Sequence, residues 1–108
     1  MAKWITVIPA DELKPGMHTL VELNHVDLLL VNIAGDFYAI ENLCSHDGGD
    51  LSGGEIDGAE ITCPRHGARF DLTTGAVLSA PAFENIPAYP VRVVDNMVQI
   101  FDQGTIAE

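Results

Sequence analysis

Short runs of β-branched, aromatic and aliphatic residues recur along the chain, and residues typical of turns end each run. The runs cover residues 4–8, 18–23, 26–33, 37–41, 89–94 and 97–101. Runs of this length and composition are typical of β-strands. Between neighbouring runs lie Asn24-His25, Gly35-Asp36 and Asp95-Asn96, where a tight hairpin turn needs residues that tolerate a positive φ. The pattern predicts antiparallel strands connected as a meander.

Helix content is predicted to be low, because no long stretch repeats its apolar residues with a period of about 3.6 residues. Asp11-Glu12-Leu13, which Pro15-Gly16 follow, predict one helical turn. Residues 42–81 contain seven of the 10 glycines. Glycine permits backbone conformations closed to other residues and lets the backbone approach a ligand closely. We therefore expect shaped loops rather than strands in this segment, and we expect the chemistry to lie there.

The length and composition fit one folded domain. A chain of 108 residues is within the usual size of a single domain, so we expect residues 1–108 to form one. Hydrophobic residues make up 47% of the chain and charged residues 19%. These proportions exclude the apolar-poor, charge-rich composition of intrinsically disordered chains.

The chain is strongly acidic. Its formal net charge of −11 argues against nucleic acid or an anionic membrane as a partner, because both would be repelled. An acidic surface serves solubility, and it also steers a protein toward a basic partner. The apolar run at residues 4–8 is far shorter than the core of a signal peptide or a membrane span. We therefore expect a cytoplasmic protein.

Both cysteines lie close to a histidine within the glycine-rich segment. Cys44-Ser45-His46 is separated by sixteen residues from Cys63-Pro64-Arg65-His66. The two segments together offer two thiolates and two imidazoles. Sulfur and nitrogen ligands suit an iron–sulfur cluster or zinc rather than calcium or magnesium.

The order of these ligands separates the two metal types. The common zinc finger takes both cysteines from one hairpin and both histidines from one helix, whereas here each segment mixes the two types. Ferredoxin clusters held only by thiolates need four cysteines, and this chain has 2. The pattern favours a [2Fe-2S] cluster with one iron on both thiolates and the other on both imidazoles. A zinc-stabilised domain without redox activity remains an alternative, as does a Cys44–Cys63 disulfide.

The segment Cys44-x-His46 and, sixteen residues later, Cys63-Pro64-x-His66-Gly67 resembles the Rieske signature C-x-H-x15-17-C-x2-H. Further similarity to Rieske-type ferredoxins of bacterial ring-hydroxylating oxygenase systems follows at Phe70-Asp71, Thr74-Gly75, Pro81-Ala82 and Tyr89-Pro90-Val91. The resemblance implies an all-β fold, a small antiparallel β-sandwich with a loop-built cluster-binding subdomain. It implies cluster-binding loops at about residues 42–50 and 61–70, and a covering proline loop at about 79–82.

By this resemblance, Cys44 and Cys63 hold the inner iron and His46 and His66 the outer, more exposed one. Respiratory Rieske proteins carry a further cysteine in each loop, at positions that match Gly49 and Arg65 here, so their disulfide is impossible in this chain. Two hydroxyl donors to the cluster are also missing, at positions that match Ala68 and Phe70. Fewer donors lower the reduction potential, which we expect near the lower end of the Rieske range of about −150 to +300 mV.

The resemblance implies a one-electron carrier rather than an enzyme. Such a monomeric ferredoxin takes electrons from an NAD(P)H-dependent flavin reductase and passes them to a terminal non-haem iron oxygenase, with both contacts transient. The alternative from another class is the Rieske-like small subunit of an assimilatory nitrite reductase or a similar accessory module. It would predict a stable complex with a large subunit on purification.

Several polar residues near the predicted loops have ordinary explanations. We expect no ligand role for His18 or His25, because neither has a cysteine nearby. Turn or capping roles are the default for the acidic residues around the loops, Asp47, Asp50 and Asp71. Arg65 and Arg69 flank His66, and either partner docking or simple solvation would account for them.

Overall fold

The computed structural model describes residues 3–45 and 47–102. The strands in chain order are β1 (Lys3–Pro9), β2 (His18–Leu23), β3 (Val26–Ile33), β4 (Asp36–Glu41), β5 (Glu55–Asp57), β6 (Glu60–Thr62), β7 (Arg69–Asp71), β8 (Ala88–Tyr89), β9 (Val91–Val94) and β10 (Met97–Asp102). A single 3-10 turn spans Ala10–Glu12, and the described residues contain no α-helix. The expectation of an all-β protein is confirmed.

The strands form three antiparallel sheets. Their strand orders are β1-β10-β9, β2-β3-β4-β8 and β5-β6-β7. The third sheet lies within the glycine-rich segment, where we expected shaped loops rather than strands, so that expectation is wrong for β5, β6 and β7. Each of these strands is only three residues long. A strand of that length has too few positions to show an alternating pattern.

Hairpin turns connect the longer strands. Asn24-His25 and Asp95-Asn96 have positive φ values between 52° and 66°, which confirms both predicted turns. The turn after β3 is formed by Ala34-Gly35, one residue before the predicted Gly35-Asp36, because Asp36 is already paired with Ile33. Ala34 has a φ of 55° and Gly35 a φ of 99°.

One predicted run is divided in two, and several other elements differ from their predicted bounds by one residue at one or both ends. The run at residues 89–94 divides into β8 and β9, because Pro90 has no N–H with which to continue a ladder. The helical turn predicted at Asp11-Glu12-Leu13 begins one residue earlier and is a 3-10 turn. None of these changes alters the antiparallel arrangement.

Strand β3 is buried on both faces, which fits its nearly continuous apolar sequence. Leu29 and Val31 belong to one hydrophobic cluster, which also contains both cysteines and residues of the third sheet. Leu28 and Leu30 face a second cluster with Val98 and other residues of the first sheet. The candidate site therefore rests on the same strand as the main core. No helix among residues 3–45 and 47–102 has the length and apolar character needed to cross a membrane.

Candidate metal centre

The two cysteine segments fold into loops with the same backbone hydrogen bonds. In the first loop, the Cys44 N–H donates to the carbonyl of Gly49 (2.7 Å), and the Cys44 carbonyl accepts from the N–H of Gly48 (2.8 Å). In the second loop, the Cys63 N–H donates to the carbonyl of Ala68 (2.7 Å), and its carbonyl accepts from the N–H of Gly67 (3.1 Å). Each cysteine thus begins a tight turn that is closed by hydrogen bonds to the fourth and fifth residues after it.

A glycine four residues after each cysteine allows this turn. Gly48 has a φ of 75° and Gly67 a φ of 80°, in the left-handed region that other residues enter at a cost. The sequence therefore contains the same Cys-x3-Gly spacing twice, a signal that we did not use above. The repeated spacing explains why the two thiols are presented in the same way.

The turns bring the cysteine sulfurs together in a dry environment. Cys44 is 0% exposed and Cys63 is 2% exposed. Their Sγ atoms and a carboxylate oxygen of Asp47 all lie within 4.8 Å of one another. Neither cysteine forms a disulfide, so the Cys44–Cys63 disulfide considered above is absent from the structure. Ala68 and Phe70, which lack the hydroxyls discussed above, are packed in the same buried cluster.

The surroundings favour a thiolate at Cys63. Burial alone would raise the pKa of the Cys63 thiol, but the backbone N–H groups of Arg65 and His66 donate to it, and Cys44 and the charge of Arg65 act in the same direction. The net result is a lowered pKa. Because the thiolate is the form that binds metal, the loop geometry prepares this sulfur as a ligand.

The described histidines occupy different environments. The side chain of His66 is 54% exposed, and its Nδ1 lies 3.5 Å from Oδ2 of Asp47. His46, the other histidine of the predicted ligand set, lies outside the described residues. His18 is exposed on β2, and the side chain of His25 is 98% exposed in a hairpin turn. The metal-ligand group that the structure brings together in the described residues consists of Cys44, Asp47 and Cys63. His18, His25 and His66 all lie outside that group.

Asp47 and Arg65 make a contact between the two loops that sequence reasoning missed. Arg65 Nε donates to Oδ2 of Asp47 at 2.6 Å, and Arg65 Nη2 donates to Oδ1 at 3.2 Å. The Arg65 guanidinium, together with a hydrogen bond from the Gly49 N–H, holds the pKa of Asp47 well below its usual range. The signal available in the sequence was a charge of opposite sign beside each candidate histidine. Arg69 instead pairs with Glu60, on the neighbouring strand of the third sheet.

The acidic residue Asp71 has the turn role expected for it. Its Oδ1 accepts hydrogen bonds from the backbone N–H (2.8 Å) and the hydroxyl (2.7 Å) of Thr73. Asp47 also accepts a turn-type hydrogen bond, from the N–H of Gly49 at 2.9 Å, but its contacts with the second loop go beyond that role. Asp50 is exposed at the edge of the first loop.

A third segment packs beside the cysteine loops. Ala82 is 4% exposed and belongs to the same buried cluster as the cysteines. The hydroxyl of Ser45, in the first loop, donates to the carbonyl of Glu84 at 2.5 Å. Between these fixed points, the Phe83 side chain projects into solvent with 87% of the residue exposed. The segment thus contacts the first loop and the buried cluster, and it exposes an aromatic ring to solvent between these two contacts.

A buried asparagine closes the base of the first loop. Asn42 is 6% exposed, and its Oδ1 accepts from the backbone N–H of Leu51 (2.9 Å) and of Ser52 (2.8 Å). One side chain therefore joins the residues that enter the loop to those that leave it. Nothing in the local sequence pattern distinguished Asn42 from an ordinary turn residue.

The donor set fits an iron–sulfur group. Two buried thiols face each other across less than 4.8 Å, backbone N–H groups point toward one of them, and an exposed imidazole stands at the rim of the site. Soft sulfur ligands with nitrogen ligands at the solvent side match the ligand preferences of such a centre. Backbone N–H groups near sulfur also tune the potential of iron–sulfur sites.

Known proteins share both the sequence and the fold. A family model described as the Rieske [2Fe-2S] domain matches residues 3–90. The ferredoxin component of a naphthalene 1,2-dioxygenase system from Pseudomonas aeruginosa is 39% identical over 98 residues, covering 91% of this chain and 94% of that protein. The ferredoxin of carbazole 1,9a-dioxygenase from Nocardioides aromaticivorans superposes with a TM-score of 0.85 at 34% identity, covering 91% of this chain and 96% of the other.

A further solved structure contains two proteins. It is a complex of reduced oxygenase and oxidized ferredoxin in carbazole 1,9a-dioxygenase, and one of its chains superposes with a TM-score of 0.86 at 30% identity. The match covers 95% of this chain and 96% of that one. Nearly the whole chain is thus similar to proteins of one kind.

Proposed function

Because this chain belongs to the Rieske [2Fe-2S] domain family, we propose that it is the ferredoxin component of a ring-hydroxylating oxygenase system. It carries electrons and has no catalytic turnover of its own. In this proposal, a flavin-dependent reductase donates the electrons and a terminal non-haem iron oxygenase accepts them. The names of the relatives support the oxygenase system rather than the nitrite reductase subunit considered above.

Cys44, His46, Cys63 and His66 are the proposed ligands of the [2Fe-2S] cluster. When bound, the cluster supplies a centre that takes up and releases one electron at a time. The observation that carries the proposal is the matched pair of loop turns, which brings two buried thiols within 4.8 Å of each other. Residues 1–108 form one domain in this proposal, with cluster-binding loops at about 42–50 and 61–70 and the covering loop at about 79–82.

The chain's own residues determine how a partner reaches the site. The buried cysteines and the packed Ala82 exclude water on the inner side. On the outer side, the half-exposed imidazole of His66 and the exposed ring of Phe83 stand where a docked protein shortens the distance for electron transfer. A net charge of −11 steers the chain toward a basic partner surface. Transient contacts of this kind suit a monomeric carrier in the cytoplasm.

The proposal is tested by the visible absorption and EPR spectra of anaerobically purified protein before and after dithionite. We expect iron and acid-labile sulfide in equal amounts, and a reduced signal with an average g below that of clusters held only by cysteines. Replacing both His46 and His66 by alanine must abolish this signal. A colourless protein containing zinc and no sulfide would contradict the proposal. Reduction by NADH through a flavin reductase, followed by reoxidation by a terminal oxygenase, tests the two partners.

A further inference from the structure

The two cysteine loops are joined by a side-chain ion pair that contains two hydrogen bonds. Arg65 donates two hydrogen bonds to Asp47, from Nε at 2.6 Å and from Nη2 at 3.2 Å. A fork-to-carboxylate contact of this type fixes direction as well as distance. The side chains are 36% and 21% exposed, so the pair lies partly within the protein surface.

Gly49 leaves space for the Arg65 side chain of this ion pair. A Cβ atom at position 49 would lie 2.6 Å from Cζ and 2.7 Å from Nη2 of Arg65. Among the described glycines, Gly49 is not one of those with a positive φ, so its backbone conformation does not by itself require glycine. A methyl group at this position would instead displace the Arg65 guanidinium from its place beside Asp47. Gly49 also donates its N–H to Oδ1 of Asp47 at 2.9 Å, which holds the carboxylate in place.

Within the described residues, the ion pair lies beside candidate ligands of both loops, because a carboxylate oxygen of Asp47 is within 4.8 Å of the sulfurs of Cys44 and Cys63. Asp47 lies next to His46 in the sequence, and its Oδ2 is 3.5 Å from Nδ1 of His66. In the described residues, the ion contacts between the two loops all run through Asp47. Apart from the backbone turns within each loop, Asp47 and Arg65 are therefore placed to set the spacing between the loops.

We propose that Asp47 and Arg65 act as positioning residues, an ionic clamp seated on Gly49 that holds the two ligand loops at the spacing the cluster requires. The clamp rests on the proposed function, because it positions the ligands proposed there. Opening it lets the loops separate and exposes the cluster to solvent and chelators.

A double-mutant cycle on the purified holoprotein tests the clamp, with iron release to an excess of a chelator as the measurement. Asp47→Asn and Arg65→Gln are each expected to accelerate release by about fivefold, the upper end of what a partly exposed ion pair contributes. The double variant is expected to release iron no faster than either single variant, because the same contact is lost in all three. Release rates that multiply in the double variant would overturn the proposal.

Gly49→Ala tests the seat of the clamp without changing any charge. It is expected to accelerate iron release in the wild-type background, where the methyl group collides with the guanidinium. In the Arg65→Gln background it is expected to have no further effect. An equal effect in both backgrounds, or none in the wild type, would contradict the proposal.

A matched control is available in the third sheet. Arg69 and Glu60 form an ion pair at 3.2 Å whose side chains are more exposed, at 51% and 46%, and they connect neighbouring strands rather than the two loops. Arg69→Gln and Glu60→Gln are expected to leave the rate of iron release unchanged. If they accelerate release as much as Arg65→Gln, general surface charge rather than the clamp is responsible.

The midpoint potential separates a clamp beside the cluster from a purely structural contact. Reduction adds a negative charge, so Asp47→Asn is expected to raise the potential and Arg65→Gln to lower it, with the double variant near the wild type. Shifts of the same sign in both single variants would contradict this placement of the pair. If a single variant fails to keep its cluster, Arg65→Lys retains the cation without the fork. It must then assemble a cluster and release iron faster than the wild type; release at the wild-type rate would contradict the need for the fork.

The outcomes for the two proposals are distinguishable. Wild-type protein without an iron–sulfur cluster would refute the proposed function and the clamp with it. A wild-type cluster whose release rate and potential do not respond to Asp47→Asn and Arg65→Gln would refute the clamp alone.

Discussion

Asn42→Ala is expected to destabilise the fold and to loosen the first cysteine loop. The Oδ1 atom of Asn42 accepts hydrogen bonds from the backbone N–H groups of Leu51 at 2.9 Å and Ser52 at 2.8 Å. Leu51 is fully buried, so its N–H would lose this acceptor away from water, at a cost of about 1–3 kcal/mol. Ser52 is partly exposed, so water can replace part of the lost bond, at about 0.5–1 kcal/mol.

Together these losses come to about 1.5–4 kcal/mol, with a middle value of about 2.5 kcal/mol. For a domain of this size, each kcal/mol corresponds to a decrease in Tm of about 4 °C. We therefore expect the Tm of Asn42→Ala, measured by circular dichroism on the holoprotein, to be about 10 °C below that of the wild type. Iron release to a chelator should also accelerate, because the loop that carries Cys44 is no longer closed at its base.

Asn32→Ala is the matched control. Asn32 is also buried, at 4% exposed, and also makes two hydrogen bonds through its side chain, to the Leu13 carbonyl and from the Gly35 N–H, both at 2.8 Å. Its bonds connect Asn32 to Leu13 after the 3-10 turn and to Gly35 in the β3–β4 turn, neither of which lies in a cysteine loop. We expect a similar decrease in Tm with no change in iron release. Equal release rates in the two variants, or a Tm for Asn42→Ala within about 2 °C of the wild type, would refute the reasoning.

Three further predictions concern other parts of the molecule. Phe83→Ala should leave the Tm within about 1 °C of the wild-type value, since the residue is 87% exposed. It should nevertheless slow electron delivery to the oxygenase by about fivefold or more at low protein concentrations. An unchanged rate of delivery would show that Phe83 is not part of the docking face. Gly75→Ala should lower the free energy of unfolding by more than about 3 kcal/mol, because residue 75 has a φ of +79° and its new Cβ would collide with the Ile86 carbonyl. Gly35→Ala meets no atom within 4 Å and should lower it by only about 1–2 kcal/mol. Urea unfolding compares the two variants, and equal losses would contradict the steric argument. The pKa of Asp47 is lowered from 3.8 on folding, so the stability that its carboxylate provides is present above pH about 4 and is lost as the pH falls further. Below pH about 4, the Tm of Asp47→Asn should therefore decrease less steeply with pH than the wild-type Tm. Parallel curves of Tm against pH would contradict the lowered pKa.

The strands that the sequence predicted well are those with enough residues to show a pattern. In β3, Leu28, Leu29, Leu30 and Val31 are all buried, and such a continuous apolar run is typical of a strand covered on both faces. Strands β5, β6 and β7 have three residues each, and the many glycines around them suggested loops. Their pairing is local, since Asp57 of β5 pairs with Glu60 of β6 across a two-residue turn that contains Gly58, but strands this short do not show the alternation that identifies longer ones.

The candidate ligands were predictable because their type and spacing are local properties of the chain. The residues that support them were not. Asp47 and Arg65 are 18 positions apart, and their contact exists only once both loops have folded. The close approach of Gly49 to the Arg65 side chain arises from the same contact between the loops, and the exposure of Phe83 beside the buried Ala82 is a tertiary property.

The shared strand β3 limits how far the cysteine loops could be transplanted. Its Leu29 and Val31 form part of the wall behind both thiols, while its Leu28 and Leu30 belong to the opposite core. A synthetic peptide or grafted insert that contained only the two loops would leave that wall open to water. A working miniature of this centre would therefore have to bring its own apolar backing strand, packed on both sides.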